Sequence, residues 1–190
     1  FIVVLIDYCY REPLMKFMLI LQKGFSLYKR GNKQPYIFMV DGRIPHGGMF
    51  DRLKGLITIY AISKAQGKDF KINWTYPFVL SKYLAPAQYN WLIEESQMNF
   101  GLFSSNNVIA YGEISNPYRL MKERKRETHF YYGFNSLDEV NNHFKTDYKW
   151  GDLYRELFKP TAYLQTYLDR FQAEIGDSYI AIHTRFMNLL

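Results

Sequence analysis

The sequence predicts an α/β fold built on a parallel β-sheet. Residues 35–41 form an apolar run, residues 49–66 repeat apolar side chains at helical spacing, and residues 70–74 alternate with a period of two. A strand, a helix and a strand with short connections form a βαβ unit, in which the two strands run parallel. The length of 190 residues allows one domain, or one large domain with part of a second.

Composition and charge limit the kinds of chain, partner and compartment that are compatible with the sequence. Hydrophobic residues make up 48% of the chain and aromatic residues 18%, which excludes a disordered chain and permits a large core. The net charge of +6 favours an anionic partner such as a nucleotide phosphate, a membrane surface or a nucleic acid, unless the charge serves solubility alone. The single cysteine, Cys9, cannot form an internal disulfide, which favours a reducing, cytoplasmic compartment.

Residues 1–34 predict an N-terminal basic amphipathic extension. Residues 1–6 are apolar enough for a short buried strand, and an apolar run at 15–21 leads into basic side chains (Lys23, Lys29, Arg30 and Lys33). Such a segment either lies on an anionic membrane surface or packs on the domain as an ordinary helix. No stretch provides the roughly 20 apolar residues that a membrane-spanning helix needs. We therefore expect at most a peripheral contact with the inner face of a membrane.

The first strand and the first helix are the best-defined elements. Pro35 is compatible with the first position of the strand at 35–41. Gly67 is suited to end the helix at 49–66, and the strand at 70–74 follows it. The buried stripe of the helix is predicted to comprise Met49, Leu53, Leu56, Ile57, Tyr60, Ala61 and Ala65.

The middle of the chain predicts shorter elements. Two prolines and many aromatic residues predict short helices and loops over 77–95. A turn at 104–107 is expected before a short strand at 108–111. Residues 130–132 form a third candidate strand of the sheet.

The last part of the chain predicts three helices. Ser136 and Glu139 match a capping box at the start of the first, and the second covers 152–158. Pro160 suits the first turn of the third helix, which Gly176 closes. The apolar face of this third helix comprises Leu164, Tyr167, Leu168, Phe171 and Ile175.

The connection between the first strand and the first helix carries one group of candidate site residues. Its three glycines, Gly42, Gly47 and Gly48, let the backbone approach a ligand, and the helix N-terminus that follows favours an anion. Turns of this kind lie where open α/β sheets bind ligands. The candidate ligand-binding residues are His46, Gly47, Gly48, Asp51 and Arg52.

Two of these residues have alternative interpretations. His46 or Asp51 could act as a base. Alternatively, Asp51 only offsets the helix dipole and His46 is an ordinary turn residue. The spacing matches neither G-x-G-x-x-G nor the Walker A loop, so neither nucleotide-binding fingerprint applies.

His183 and Arg185 form the second group of candidates, in a strand predicted over 179–186. Because side chains alternate along a strand, both lie on one face, near the carboxyl end where α/β folds place ligands. The planar guanidinium of Arg185 suits phosphate oxygens, and the imidazole of His183 could hydrogen-bond the same anion. Alternatively, Arg185 forms a surface ion pair and His183 is a satisfied core residue.

Other kinds of site have little support in the sequence. One cysteine and four scattered histidines show no metal-ligand spacing, so neither a metal nor a bound cofactor is expected. The basic cluster of Lys122, Arg124, Lys125 and Arg126 either serves phosphates or is a solvated surface. Aromatic residues are spread through the chain rather than interleaved with basic ones, so we do not expect nucleic-acid binding.

Three segments resemble a known enzyme superfamily. Residues 46–55 (HGGMFDRLKG), followed by residues 70–86 (FKINWTYPFVLSKYLAP), resemble glycosyltransferases of bacterial capsule and surface-polysaccharide loci in the fucosyltransferase-like superfamily. Residues 157–186 resemble the segment that leads into the H-x-R motif of that superfamily, which corresponds to His183 and Arg185. Together these segments span most of the chain from the first predicted strand onward.

The resemblance implies an inverting, metal-independent glycosyltransferase with two Rossmann-like lobes in a GT-B-like arrangement. It implies a nucleotide-sugar donor, commonly GDP-fucose, and a glycan or lipid-linked oligosaccharide as the acceptor. It also implies that Arg185 binds the donor phosphates and stabilises the leaving diphosphate, with His183 helping to place the donor. The glycine-containing turn would face the cleft, so that His46, Gly47, Gly48, Asp51 and Arg52 touch the donor or the acceptor.

The resemblance also divides the chain. Residues 35–158 would form the Rossmann-like N-terminal lobe, and residues 159–190 the start of an incomplete donor-binding lobe. Phe186 stands where many members of the superfamily have a second arginine. Because the donor-binding lobe would be almost wholly missing, we expect a fragment that transfers no sugar by itself. The alternative is a non-catalytic α/β module that binds an anionic ligand or a glycan through the same turn and strand.

Overall fold

The computed structural model describes residues 34–44, 47–100, 105–110 and 117–176, together with Phe17 and Ile180. In chain order, its helices and strands are β1 (Tyr36–Val40), α1 (Met49–Ala65), β2 (Phe70–Trp74), β3 (Leu84–Pro86), β4 (Ser105–Ala110), α2 (Tyr118–Met121), β5 (Glu127–Tyr132), α3 (Leu137–Phe144), α4 (Trp150–Leu157), β6 (Phe158–Pro160) and α5 (Ala162–Ile175). Two short 3-10 helices cover Leu80–Lys82 and Glu95–Gln97.

Four parallel strands form the central sheet, in the order β2-β1-β5-β4. Val40 lies opposite Trp74, and Ala110 lies opposite Tyr132, so the carboxyl ends of the strands meet at one edge, named the carboxyl edge. The unit of β1, α1 and β2 is the predicted βαβ unit, and the predicted α/β fold with a parallel sheet is confirmed. A separate antiparallel ribbon is formed by β3 and β6.

The central position of β1 explains its apolar sequence. Tyr36, Phe38 and Val40 belong to the main core cluster, which includes the residues of α1. Ile37 and Met39 pack in a second cluster on the opposite face of the sheet, together with Ile44, Met98, Ile109 and Tyr131. A strand that is buried on both faces carries a continuous apolar run rather than an alternating one.

Helix α1 is buried nearly all round because it packs against both the sheet and helices α3 and α4. The predicted single apolar stripe is therefore wrong in extent: Met49 is 46% exposed, whereas Thr58 and Ser63 are buried. The hydroxyl of Thr58 donates to the carbonyl of Lys54 (3.0 Å), and that of Ser63 donates to the carbonyl of Ile59 (2.9 Å). These bonds satisfy polar atoms that the packing removes from water.

Gly55 sets the distance between α1 and the sheet. A Cβ atom built on Gly55 would lie 2.1 Å from the carbonyl oxygen of Tyr132 and 3.0 Å from the amide nitrogen of Gly133. The backbone of α1 therefore touches the carboxyl end of β5 directly. This is a close backbone approach that glycine permits and any larger residue prevents.

The structure confirms one predicted helix end and corrects two others. Gly67 follows α1 with a φ of +62°, as expected of a glycine that ends a helix. Ser136 is the N-cap of α3, but its Oγ pairs with the hydroxyl of Tyr132 at 2.8 Å instead of capping the helix, so the predicted capping box is wrong. The placement of Pro160 in the third helix is also wrong, because Pro160 ends β6 and the side chain of Thr161 caps α5.

For the shorter helices and strands, the predicted type of element is mostly correct, but the predicted first and last residues are not. The prediction of short elements over 77–95 is confirmed by the first 3-10 helix and by β3. The predicted turn at 104–107 is wrong over its described residues, because residues 105–107 pair with β5 as the first half of β4. Helix α4 begins at Trp150, ahead of the predicted start.

Helix α5 carries its predicted apolar face, and most of that face is exposed. Leu164 packs against the main core cluster. The other members of the face lie open to solvent, namely Tyr167, Leu168, Phe171 and Ile175. Gly176, with a φ of +76°, closes the helix as predicted.

Three predictions concern residues that lie largely outside the described part of the chain. They are the extension at 1–34, the turn residue His46, and the strand at 179–186 with His183 and Arg185. Ile180, the single described residue of that strand, is exposed and lies outside regular secondary structure. Among the described residues, no helix combines the length and apolar character needed to cross a membrane.

The predicted division of the chain at residue 158 falls inside β6. Because β6 pairs with β3, the ribbon ties residues 158–160 to the preceding part of the chain. The two-lobe division stays a prediction.

Replacing Gly55 with alanine is expected to lower the free energy of unfolding by about 1–3 kcal/mol, since the new methyl group collides with the backbone of β5. Helix propensity alone would favour alanine by about 1 kcal/mol, so the sign of the change identifies the cause. Urea unfolding followed by circular dichroism measures the change.

The matched control is Gly151→Ala in α4. A Cβ atom there comes no closer than 3.5 Å to the side chain of Arg155, which is ordinary contact. This variant is expected to be neutral or more stable. A Gly55→Ala protein as stable as Gly151→Ala would contradict the direct contact between α1 and β5.

Candidate functional site

The glycine turn, residues 41–48, joins β1 to α1 at the carboxyl edge of the sheet. Gly42 has a φ of +79°, and a Cβ atom there would lie 3.0 Å from Cγ of Tyr76. The amide of Tyr76 donates to the carbonyl of Val40 (3.1 Å), which holds the ring beside the turn. The turn therefore requires glycine at position 42, both for its backbone angle and for the space that Tyr76 occupies.

The N-terminus of α1 opens at this turn. Gly48 is its N-cap, with extended backbone (φ −60°, ψ 170°), and no side chain caps the helix there. The first helical bond runs from the amide of Arg52 to the carbonyl of Gly48 (3.1 Å). The preceding amides lie ahead of the helical ladder, and Gly47 and Gly48 are exposed. An exposed helix N-terminus of this kind favours oxygen-rich, anionic ligands.

Arg52 fastens the glycine turn to the loop after β2. Its Nε donates to the carbonyl of Gly47 (3.0 Å), and its Nη1 donates to the carbonyl of Tyr76 (3.2 Å). Its guanidinium also lies 5.8 Å from the ring centroid of Trp74. Arg52 thus holds the backbone of the site in place, and this use was not apparent from its position in the sequence.

Asp51 lies in the first turn of α1, where a carboxylate offsets the positive end of the helix dipole. Its Oδ1 forms a salt bridge with Lys54 Nζ (3.2 Å). Its Oδ2 lies against Gly47, since a Cβ atom on that residue would come within 2.8 Å of it. This geometry agrees with the dipole interpretation, while a role as a base stays a prediction.

Asp41, Arg43 and Glu95 form a charged group on the other side of the turn, which was not predicted from the sequence. The carboxylate of Asp41 is almost fully buried and accepts bonds from Arg43 Nη1 (2.7 Å) and from the hydroxyl of Tyr131 (3.1 Å). Arg43 also donates to Glu95 (2.9 Å) and lies 5.3 Å from the ring centroid of Phe100. The positions of Asp41 and Arg43 on either side of Gly42 are visible in the sequence. Their partners Tyr131 and Glu95 are distant in the chain, so the local sequence gives no sign of these contacts.

The ionisation of this group follows from its contacts. Burial lowers the pKa of Arg43, but its hydrogen bonds to Glu95 and Asp41 outweigh burial and raise the pKa above the ordinary value. Burial, followed by the neighbouring carboxylate of Asp41, raises the pKa of Tyr131. Tyr131 therefore stays neutral, and the group acts as a fixed brace.

Exposed apolar side chains surround the mouth of the turn. Phe50 is 74% exposed and Tyr76 is 58% exposed, and Met49 lies between Phe50 and the glycines. Large apolar side chains that are exposed together often mark a ligand or partner surface. The mouth thus combines free backbone amides with an apolar rim.

The structure brings four of the predicted site residues together: Gly47, Gly48, Asp51 and Arg52. His46, His183 and Arg185 lie outside the described residues. Among the residues that the structure describes, no group of three or more metal-ligating side chains is arranged to hold a metal ion.

One member of the basic cluster at residues 122–126, Arg124, forms hydrogen bonds within the fold. The guanidinium of Arg124 donates to the carbonyls of Leu120 (3.0 Å), Lys122 (2.7 Å) and Arg119 (2.7 Å), all at the end of α2. Burial lowers the pKa of Arg124. The remaining members of the cluster are exposed, in agreement with a solvated surface.

Comparisons of this chain with models of protein families, with curated proteins and with solved structures found no match.

Replacing Arg52 with alanine is expected to loosen the glycine turn. Two hydrogen bonds to backbone carbonyls are lost, so the free energy of unfolding should fall by about 1 kcal/mol. Amide hydrogen exchange at residues 47–49 should accelerate, because the turn loses its link to the β2 loop. Urea unfolding and exchange mass spectrometry measure the two effects.

Lys54→Ala is the matched control, since Lys54 is equally near the turn but only pairs with Asp51 on the surface. Its effect should stay within about 0.5 kcal/mol, with unchanged exchange at the turn. If both variants behave alike, Arg52 does not hold the turn.

Proposed function

We propose that this chain contributes the N-terminal lobe of an inverting, metal-independent glycosyltransferase of GT-B-like architecture. The donor is a nucleotide sugar, with GDP-fucose as the first candidate, and the acceptor is a glycan or lipid-linked oligosaccharide for a surface polysaccharide. The observation that carries the proposal is the exposed N-terminus of α1 at the carboxyl edge of a parallel sheet. The resemblance of residues 46–55, 70–86 and 157–186 supports the enzyme class.

The proposed reaction is a direct displacement at the anomeric carbon of the donor. The oxygen of an acceptor hydroxyl bonds to that carbon while the bond to the diphosphate breaks. The diphosphate leaves with the electron pair, and the hydroxyl proton passes to a base. Negative charge grows on the diphosphate, where a fixed cation stabilises it. We assign this part to Arg185 and the positioning of the donor to His183.

The glycine turn would contact the donor or the acceptor in this reaction. The backbone of Gly47 and Gly48 is exposed, and the amides at the start of α1 suit an oxygen-rich group. The ring of Phe50 offers an apolar surface to the C–H face of a sugar. Asp51 is a candidate base, since Lys54 pairs with only one of its two oxygens.

The proposed location is the cytoplasm, with the extension at 1–34 on the inner face of the membrane. The basic side chains of this extension and the net charge of +6 support contact with anionic lipids. A lipid-linked acceptor would be presented at the same surface.

The second candidate is a non-catalytic α/β module that binds an anionic ligand or a glycan. One observation favours it: in the described part of the site, the charged side chains serve the fold. Arg52 is bonded to two carbonyls, Asp51 is paired with Lys54, and Arg43 is held by two carboxylates. The backbone amides would then be the ligand-binding groups.

Thermal unfolding with a panel of nucleotide sugars and free glycans separates the two candidates. A donor at one hundred times its dissociation constant should stabilise the full-length protein by about 2.7 kcal/mol, since it binds only the folded state. We expect GDP-fucose to raise the Tm. Stabilisation by glycans with no effect of any nucleotide sugar would contradict the glycosyltransferase and support the binding module.

Arg185→Ala in the full-length protein is expected to lower the kcat of sugar transfer by about two to three orders of magnitude, because the leaving diphosphate loses its cation. The Tm should not change. Arg155→Ala is the control, since Arg155 is exposed in α4 and pairs only with Asp152. Transfer by Arg185→Ala at the rate of the control would remove Arg185 from the mechanism.

A further inference from the structure

Three tyrosines and two lysines form an exposed group beside the ribbon of β3 and β6, which we name the tyrosine–lysine patch. The ring centroid of Tyr83 lies 5.8 Å from that of Tyr163, which lies 5.2 Å from that of Tyr167. The Nζ atom of Lys82 lies 5.0 Å from the ring centroid of Tyr163. Lys159, exposed in β6, is the fifth member. The two tyrosines on α5 are each nearly half exposed.

Backbone pairing holds the members of the patch together. The amide of Thr161 donates to the carbonyl of Tyr83 (2.9 Å), which continues the antiparallel register of β3 and β6. Lys159 lies opposite Ala85 in this register, two residues before Thr161. Thr161 also caps α5, which carries the other two tyrosines. The patch is therefore built on two elements with fixed relative positions.

Neither lysine of the patch is paired with a carboxylate among the residues that the structure describes: Lys82 and Lys159 form no salt bridge there. Five other described lysines are paired with carboxylates (Lys54, Lys64, Lys68, Lys71 and Lys149), and three others, like those of the patch, have no such pair (Lys122, Lys125 and Lys145). The patch thus presents two positive charges that the described chain does not neutralise.

A row of aromatic rings leads from the patch to the glycine turn. The ring of Tyr83 lies 5.3 Å from Phe78, and Phe78 lies 5.9 Å from Trp74. Trp74 ends β2 at the carboxyl edge and lies beside the guanidinium of Arg52. Because Trp74 is only 3% exposed, this row is an internal link that fixes the patch relative to the turn, and it is not a surface path for a ligand.

The chemistry of the patch fits a sugar chain with acidic groups. A tyrosine ring offers a flat apolar surface to the C–H face of a sugar ring, and its hydroxyl offers a hydrogen bond. Two separated lysines attract carboxylates. Nucleic-acid sites typically neutralise about 6–10 phosphates, and basic membrane sites carry about four to eight cations. Two cations among three tyrosines are therefore too few for either of those partners.

We propose that the tyrosine–lysine patch binds an acidic oligosaccharide, a chain that contains carboxylated sugars. This inference rests on the proposed function, in which the bound chain is the acceptor. The patch then selects the acceptor by charge and by ring stacking at a distance from the reacting atoms.

Calorimetric titration of the full-length protein with three probes tests the ligand class. The probes are tetragalacturonate, its methyl ester and inorganic tripolyphosphate. Tetragalacturonate should bind most tightly, because the ester has sugar rings without charge and tripolyphosphate has charge without sugar rings. Equal binding of the methyl ester would overturn the charge requirement, and equal binding of tripolyphosphate would overturn the glycan assignment.

Substitutions locate the binding surface. Tyr163→Ala should raise the Kd for tetragalacturonate by about threefold to tenfold, through the lost stacking surface. Lys82→Ala should raise it by about twofold to fivefold. The controls are Tyr118→Ala and Lys149→Ala, which remove exposed side chains outside the ribbon and α5. Patch variants that bind like the controls would overturn the proposal.

The same variants keep this inference separate from the proposed function. Stabilisation by GDP-fucose should be unchanged in Tyr163→Ala. A protein that binds tetragalacturonate at the patch but no nucleotide sugar refutes the glycosyltransferase and keeps the patch as a glycan site. A protein that binds GDP-fucose but not tetragalacturonate refutes the patch alone.

Discussion

The contact between Gly55 and the carbonyl of Tyr132 is the constraint on which the rest of the structure depends. It allows the backbone of α1 to lie directly on the carboxyl end of β5. The sheet on one side and the outer helices on the other then bury Leu53 and residues 55–63 of α1. The N-terminus of α1 then lies at the carboxyl edge, where the glycine turn joins the helix to β1.

Two arginines hold the described residues of the glycine turn in place. Arg43 joins two carboxylates on one side, and Arg52 bonds two backbone carbonyls on the other. Both charges are thus engaged by other groups of the protein, and we propose that the amides and the apolar rim of the turn contact the ligand. Ring contacts link the buried Trp74 through Phe78 and Tyr83 to Tyr163 of α5, and so fix the position of α5 relative to the end of β2.

Local sequence pattern predicted the βαβ unit, because β1 and α1 are long, apolar and bounded by glycine or proline. Local pattern did not predict the roles of residues whose contact partners are distant in the sequence. A glycine inside a helical segment looks the same in the sequence whether it faces solvent or, like Gly55, contacts a carbonyl oxygen. Ser136 matches a capping box, yet the hydroxyl of Tyr132 competes for its Oγ. The turn was identified from its glycines, but the use of Arg52 as a brace depends on a carbonyl in the loop after β2, which no local rule locates.

Chemical-shift mapping of the full-length protein titrated with GDP-fucose tests the central claim most directly. If the exposed N-terminus of α1 binds the donor or lies beside it, the largest changes among the residues described here should fall on the backbone amides of Gly48, Met49, Phe50 and Asp51. Residues at the opposite edge of the sheet, such as Phe70 and Glu127, should not change. Saturable binding that leaves the amides of residues 48–51 unperturbed would contradict the assignment of the glycine turn as the ligand site.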